Sequence, residues 1–205
     1  MDKKVIPYSR QLIDAADRRA ILKVLKSDYL TQGPETELFE SRIATFCNVK
    51  YSLALNSATS ALHASCIALG INRKDTVWTV PITFVASANC ALYCGAQIDF
   101  VDIDPKTFCI CPEKLEVKLK SYKLLNKKLP SLLIVVHLAG QSCEMEKIYK
   151  LSKIYDFKII EDASHALGSS YQGKMVGSCE YSDVTVFSFH PVKTITSGEG
   201  GIAVT

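Results

Sequence analysis

With 205 residues, the chain is long enough for one large domain with a sizeable core or for two small domains. Its 48% apolar and 22% charged residues are typical of a soluble globular protein, and its net charge of +3 forms no basic block that would bind nucleic acid. No apolar run reaches the roughly 18 residues of a membrane helix, and residues 1–19 lack the apolar segment of a signal peptide, so we expect a cytoplasmic protein.

Seven apolar runs with β-branched residues predict strands. They are SLAL (52–55), TVWTV (76–80), QIDFVDI (97–103), LLIVVH (132–137), KIIED (158–162), VTVFSF (184–189) and IAVT (202–205). Helical spacing predicts helices over 14–26, 36–47, 58–69, 83–94 and 144–155, and the polar stretch 120–131 is interpreted as a helix end and a loop. This alternation predicts an α/β fold with a mainly parallel sheet flanked by helices on both faces.

The eight cysteines are scattered through the chain. In a chain of this size without secretory features, reduced buried thiols are expected rather than disulfides. Two close pairs, Cys90 with Cys94 and Cys109 with Cys111, lack the C-x-x-C spacing of zinc sites, so no metal is expected.

Three groups of polar residues directly follow predicted strands. They are the turn 56–60 (NSATS), Asp162 with Ser164 and His165, and Ser188 with His190 and Lys193. Because ligands of open α/β sheets bind at the carboxyl ends of the strands, these groups should share one rim of the sheet.

The first group leads into a predicted helix, whose free N–H groups and positive dipole end suit a phosphate. The hydroxyls of Ser57 and Thr59 would add donors. The alternative is that Ser57 only caps the helix, since NSATS is not a glycine-rich phosphate loop. A phosphate site, a strand-end acid and a lysine are together what pyridoxal phosphate (PLP) requires: a cradle, a partner for the ring nitrogen and a Schiff-base amine.

The chain resembles the sugar aminotransferases of the DegT/DnrJ/EryC1/StrS family, which have the aspartate aminotransferase-like, type I PLP-dependent fold. The matching stretches lie in family order and cover nearly the whole chain: LTQGP (30–34), NSATSALH (56–63), PITFVASANC (81–90), VHLAGQSCEM (136–145), EDASHALGS (161–169) and FSFHPVKTITSGEGG (187–201). The resemblance implies that residues 1–205 are the N-terminal segment and most of the PLP-binding large domain, with the C-terminal part, including a small C-terminal domain, missing.

The resemblance also implies roles for individual residues. Lys193 corresponds to the Schiff-base lysine and Asp162 to the acid that keeps the pyridine nitrogen protonated; these two are the expected catalytic residues. The other expected cofactor contacts are Ser57, Ala58, Thr59, Phe84 (stacking on the ring), Gln141 (near the ring hydroxyl), Ser164 and Ser188. The expected substrate-facing positions are Tyr8, Asp28, Tyr29, Leu30, Thr31, Ala58 and Ser188.

The implied reaction is the transfer of an amino group from an amino acid, by resemblance L-glutamate, to C4 of a nucleotide-linked 4-keto-6-deoxy sugar. Likeness within the family indicates a UDP-linked sugar of pseudaminic acid biosynthesis, and the family implies a homodimer. His165 and His190 are interpreted as histidines that support neighbouring groups, with direct proton transfer as the alternative.

Two other functions stay open from the residues. One is a catalytically incomplete remnant of such an enzyme. The other is a metal-dependent hydrolase built on His137, Asp162, His165 and His190 at the strand rim. The hydrolase would give Lys193 and the NSATS turn no role.

Overall fold

A computed structural model describes residues 5–205; residues 1–4, the start of the stretch compared with a signal peptide, lie outside it. The strands are β1 (Ser52–Leu55), β2 (Thr76–Thr79), β3 (Gln97–Phe100), β4 (Leu132–Val136), β5 (Lys158–Asp162), β6 (Ser170–Tyr171), β7 (Lys174–Met175), β8 (Val184–Ser188) and β9 (Gly201–Val204). The helices are α1 (Ala15–Leu25), α2 (Pro34–Cys47), α3 (Ala58–Ala68), α4 (Ala86–Tyr93), α5 (Pro112–Leu124) and α6 (Met145–Tyr155), with a 3₁₀ turn at Leu138–Gly140.

Seven strands form one sheet in the order β1-β9-β8-β5-β4-β2-β3. Strands β8, β5, β4, β2 and β3 are parallel neighbours, whereas β9 runs antiparallel to both β1 and β8. Strand β1 therefore points the same way as β8, and the carboxyl ends of six strands meet at one rim. The predicted mainly parallel α/β sheet is confirmed.

Helices cover both faces of the sheet because each buries an apolar stripe on it. Helices α3 and α4 pack on one face, around Leu62, Cys90 and Ile134. Helices α5 and α6 pack on the other face, and α2 continues that layer over β8 and β9. Helix α6 is an example of such a stripe: its apolar residues Met145, Ile148 and Leu151 recur every three residues, fall on one side of the helix and are all buried.

The predicted elements differ from the observed ones mainly at their ends. Helix α4 begins at Ala86 instead of residue 83, because Thr83–Val85 form the turn that leads into it. Helix α5 was predicted only at its C-terminal end; it begins with a proline, which suits a first helical position, and buries Leu115 and Leu119. The small antiparallel pair β6–β7 was not predicted.

All eight cysteines are free thiols, and six of them are buried, which agrees with the predicted reduced state.

Among the helices of residues 5–205, none is long and apolar enough to cross a membrane. Helix α1 differs from the other helices in having no buried residue.

Candidate active site

A cavity of about 510 Å³ opens at the rim where the carboxyl ends of β1, β5 and β8 meet. All three of the predicted polar groups contribute to its wall. The predicted site residues that line it are Tyr8, Ser57, Ala58, Thr59, Phe84, Asp162, Ser164, His165, Ser188, His190 and Lys193. A volume of this size is within the range of small-molecule and cofactor sites.

One wall of the cavity is the N-terminus of α3. Ser57 caps the helix through its Oγ, which accepts from the backbone N–H of Ser60 at 3.1 Å. The N–H groups of Ala58 and Thr59, in the first turn, have no partner within the helix and lie in the cavity wall. Capping and anion binding are therefore compatible readings of this turn.

Strand β9 places Ser188 beside that helix terminus. Gly201 pairs with Leu55 on one side and with Ser188 on the other, so it joins the end of β1 to the end of β8. A Cβ atom on Gly201 would overlap the backbone of Ser57 and Ala58, and only glycine lets the strand pass so close. A serine hydroxyl and a helix N-terminus thus face the same part of the cavity.

Asp162, at the end of β5, is buried and has a rigid set of donors. One oxygen, Oδ1, accepts from the hydroxyl of Ser164 at 2.6 Å and from its backbone N–H at 3.2 Å. The other, Oδ2, accepts from the hydroxyl of Ser87 on α4 at 2.6 Å, and Ser87 in turn contacts Thr83 at 2.8 Å. Sequence reasoning missed Ser87 and Thr83, although they lie in the quoted stretch PITFVASANC.

Lys193 lies in the turn that follows β8, where its backbone N–H donates to the carbonyl of His190 at 2.9 Å. Burial lowers the pKa of the Lys193 ammonium below its ordinary value, and attraction to Asp162 offsets this only in part. Within the described residues, Nζ has no carboxylate within 4.0 Å. A lysine amine held in a cavity without an ion pair is unusual for a surface charge and suited to covalent chemistry.

His165 has a structural partner on one ring nitrogen. Its Nδ1 accepts from the backbone N–H of Ala139 at 3.2 Å, so the hydrogen of the neutral ring is on Nε2. Burial, with help from the charge of Lys193, lowers the pKa of His165, and this keeps the ring neutral. Because Nδ1 is occupied, Nε2–H is the group that His165 has left to offer to the cavity.

His137 is used entirely inside the fold. Its Nδ1 accepts from the backbone N–H of Cys143 at 3.1 Å, and its Nε2 lies 2.6 Å from Oε2 of Glu161. Both nitrogens are therefore occupied and neither is free for a metal. No group of three or more His, Cys, Asp or Glu in residues 5–205 is arranged to hold a metal ion, so the geometry gives the hydrolase hypothesis no support.

Some predicted residues lie elsewhere. Gln141 does not line the cavity: after the 3₁₀ turn its amide donates to the carbonyl of Ser142 at 3.2 Å, and it lines a neighbouring cavity of about 530 Å³. Its contact with the ring hydroxyl therefore stays a prediction, made for a residue that lies outside the cavity of the other predicted contacts. The stretch Asp28–Thr31 is exposed in the turn between α1 and α2 and also lies outside the cavity.

At the mouth of the cavity, His190 faces Glu199 across 3.8 Å. Both side chains are largely exposed, as is Tyr8, which reaches the mouth from the N-terminal segment. Phe84 also lines the cavity, and the residue is 71% exposed. An exposed aromatic in a cavity wall is available to stack on a flat ligand.

These residues fit PLP. The first turn of α3, with Ser57, Thr59 and Ser188, provides neutral donors for a phosphate, Asp162 provides a carboxylate for a ring nitrogen, and Lys193 provides an amine. Phe84 provides an aromatic face. The fit rests on the kinds of chemical group that share one cavity: hydrogen-bond donors, a carboxylate, an amine and an aromatic ring.

Comparison with known proteins agrees with this fit. The model of the DegT/DnrJ/EryC1/StrS aminotransferase family matches residues 11–205. A UDP-4-amino-4,6-dideoxy-N-acetyl-beta-L-altrosamine transaminase of Campylobacter jejuni is 46% identical over 98% of this chain and 51% of its own. The spore coat polysaccharide biosynthesis protein SpsC of Bacillus subtilis is 36% identical over 98% of this chain and 49% of its own. The chain thus spans about half the length of these curated relatives.

Solved structures show the same likeness. Helicobacter pylori PseC, an aminotransferase involved in the biosynthesis of pseudoaminic acid, has a TM-score of 0.89 and 40% identity, over 98% of this chain and 52% of that one. Spr1654 from Streptococcus pneumoniae in its PLP form has a TM-score of 0.86 and 30% identity, over 97% and 52%, and it was also solved in a PMP form. The expected type I PLP-dependent fold is confirmed.

Proposed function

The chain belongs to the DegT/DnrJ/EryC1/StrS aminotransferase family, whose members are PLP-dependent sugar aminotransferases, and from that premise we propose that it binds PLP and acts in amino-group transfer to a nucleotide sugar. The observation that carries the proposal is the cavity in which Lys193, Asp162 and the N-terminus of α3 meet. The amino donor is an amino acid, L-glutamate, and the acceptor is C4 of a UDP-linked 4-keto-6-deoxy sugar.

The walls of the cavity would each contact a different part of PLP. The N–H groups of Ala58 and Thr59 and the hydroxyls of Ser57 and Ser188 would hold the phosphate. Phe84 would cover one face of the ring. When bound, the cofactor supplies an electron-withdrawing ring that stabilises negative charge on the carbon next to the transferred nitrogen.

Asp162 would hold a proton on the ring nitrogen. A nearby carboxylate shifts the pKa of a partner by about 1–3 units in favour of its protonated form, so a buried, rigid Asp162 is well suited to this task. The hydroxyl and the backbone N–H of Ser164 both donate to its Oδ1 and keep that oxygen in place.

Lys193 would hold the cofactor and move a proton. Only a neutral amine attacks a carbonyl or accepts a proton, and a free lysine is almost fully protonated at neutral pH. Burial lowers the pKa of Lys193 and so increases the neutral fraction. As a neutral amine, its Nζ would take a proton from the α-carbon of the amino donor and pass it to the cofactor carbon that holds the transferred nitrogen, within the same half of the exchange.

The choice of substrate rests on the relatives. The C. jejuni relative is named for a UDP-linked amino sugar, and PseC is described as acting in pseudoaminic acid biosynthesis. Tyr8, His190 and Glu199 stand at the mouth of the cavity, where a sugar ring would enter. We also propose that the chain pairs with a second copy of itself, in line with the homodimer implied by the resemblance.

The test is to add PLP to the purified chain and look for a visible absorption band that borohydride bleaches. Mass spectrometry should then find the reduced adduct on Lys193. Lys193→Gln should abolish the band, whereas Lys26→Gln, a change at the exposed lysine directly after α1, should leave it intact. An adduct on another lysine, or no band at all, would refute the proposal.

A second step separates binding from turnover. L-glutamate added to the PLP-loaded chain should bleach the band and release its keto acid. A chain that binds PLP on Lys193 but gives no keto acid would support the alternative, a catalytically incomplete fragment that retains the cofactor site.

A further inference from the structure

A pair of hydroxyls beneath the cavity has no role in the site described so far. Ser87 lies in the first turn of α4 and is fully buried, and its Oγ contacts Oδ2 of Asp162 at 2.6 Å. Thr83, in the preceding turn, contacts Ser87 at 2.8 Å between the two hydroxyl oxygens. Thr83 also lines the cavity beside Phe84.

The direction of these hydrogen bonds follows from the donors present. A carboxylate only accepts, so the single proton of the Ser87 hydroxyl is given to Asp162. Ser87 must then accept from Thr83, which makes Thr83 the donor of the first bond. The chain runs from Thr83 to Ser87 to Asp162, and hydrogen bonds arranged head to tail in this way strengthen one another.

The acceptor capacity of Asp162 is nearly used up. A carboxylate has about four acceptor positions, about two on each oxygen. The hydroxyl and N–H of Ser164 take the two positions of Oδ1, and Ser87 takes one position of Oδ2. Counting the donors of residues 5–205, one position remains, on Oδ2, and Asp162 lines the cavity.

We propose that Thr83 and Ser87 are positioning residues that hold Oδ2 of Asp162 with its one remaining acceptor position toward the cavity, ready for the protonated nitrogen of a cofactor ring. This inference rests on the proposed function. It assigns a task to two residues that touch neither the phosphate nor the amine. Thr83 also ties the turn that carries Phe84 to the carboxylate, so one hydroxyl chain aligns two contacts to the same ring.

The test compares PLP with its analogue in which the ring nitrogen is replaced by C–H. Binding of both is measured by absorbance titration on the 205-residue chain and on Ser87→Ala. Loss of the Ser87 hydrogen bond should weaken PLP binding by about tenfold, as expected for a hydrogen bond to a charged group. Binding of the analogue should change less than twofold, because it has no nitrogen for Asp162 to contact.

Two further variants sharpen the result. Ser65→Ala removes an equally buried hydroxyl of α3 that donates to the carbonyl of Ala61, and it should leave the ratio of the two affinities unchanged. Thr83→Val should weaken PLP binding by about threefold alone and add little to Ser87→Ala, because Thr83 acts through Ser87.

The binding data for Ser87→Ala and for the unaltered chain test different claims. Equal weakening of PLP and of the analogue by Ser87→Ala would mean a merely structural role, and unchanged PLP binding would mean no role; either overturns the inference while leaving the cofactor assignment intact. If the unaltered chain binds no PLP on Lys193, the proposed function fails, and the inference fails with it.

Discussion

Gly201 lies directly against Ala58, so closely that a Cβ atom at position 201 would overlap the backbone nitrogen that begins α3. The contact brings the antiparallel strand β9 under the terminus that would bind the phosphate. It also places Ser188, the partner of Gly201 on β8, beside that terminus.

Replacement of Gly201 by alanine should therefore damage both the fold and the site. The added methyl group meets backbone atoms, which cannot rotate away, so we expect a destabilisation of about 3 kcal/mol, at the upper end for overpacking. Phosphate or PLP affinity should fall as α3 is displaced. Gly200→Ala is the matched control, since its Cβ would meet mainly the rotatable hydroxyl of Ser197 at 2.5 Å. Equal urea midpoints for the two variants would contradict the close contact.

Lys193 should make stability depend on alkaline pH. Its pKa is lowered by burial, so the unfolded chain binds more protons than the folded chain over a window that ends near 10.5. Stability must then rise as pH rises through that window. Lys193→Gln should remove this rise and should be the more stable form at neutral pH without cofactor. Thermal unfolding between pH 7 and 10.5, with Lys26→Gln as control, measures the difference; parallel curves for the unaltered chain and Lys193→Gln would rule it out.

His165 should make the stability of the fold depend on pH in the acid range. Its folded pKa is lowered, so its contribution is complete above the unfolded value of about 6.5 and is lost as pH falls through the folded value. His165→Asn keeps an acceptor for the Ala139 N–H but cannot be protonated, so its stability should fall less between pH 6.5 and 5. An NMR hydrogen-exchange experiment adds a direct readout: His165→Ala should speed exchange of the Ala139 amide. An unchanged exchange rate would mean that the hydrogen bond is absent.

The buried pair His137–Glu161 should be important for stability. Glu161 accepts from His137 at 2.6 Å, from Ser182 at 2.5 Å and from Thr185 at 3.0 Å. His137→Ala should cost about 3–5 kcal/mol, because the buried carboxylate of Glu161 loses a hydrogen bond and a cavity replaces the fully buried ring. Ser182→Ala is the control and should cost about 1.5–3 kcal/mol, the value of one hydrogen bond to a charged group. Denaturation by urea at pH 7 checks the order of the two variants.

The same pair should also determine how the stability of the fold changes in acid. Burial alone would raise the pKa of Glu161, but the hydrogen bond from His137, together with those from the hydroxyls of Ser182 and Thr185, lowers it overall. Its contribution to stability is therefore present above pH 4.5 and lost as pH falls through the lower, folded value. Glu161→Gln should be less stable at pH 7 and should lose less stability in acid; a steeper acid loss in Glu161→Gln would contradict this.

Most of the secondary structure could be predicted because its signals are local. The runs at 52–55 and 158–162 match β1 and β5 in full, and the helix expected over 144–155 matches α6 to within one residue. Helix α5 was predicted only at its end, because its apolar face is set by two leucines, Leu115 and Leu119, within a strongly charged sequence. Boundaries such as the start of α4 depend on turns that periodicity does not describe.

The candidate site was predictable in part for a related reason. Residues at the carboxyl ends of parallel strands must share a rim, so Asp162, Lys193 and the turn after β1 could be brought together before any coordinates. Gln141 could not be placed in the same way, because it follows a 3₁₀ turn that directs its amide to Ser142. Ser87 and Thr83 carried no signal of their own, since serine and threonine in a helix start are ordinary capping residues.

The sequence by itself thus determined the α/β alternation and the family, and it predicted the lysine, the acid and the phosphate turn of the candidate site, because each of these signals comes from residues close together in the chain. Tertiary structure alone decided which groups support them. The close passage of Gly201 under Ala58, the hydrogen bond from Ser87 to Asp162 and the hydrogen bond from Ala139 to His165 join residues 26–143 positions apart along the chain. Such contacts are set by how strands and helices pack, and no local pattern of residues encodes them.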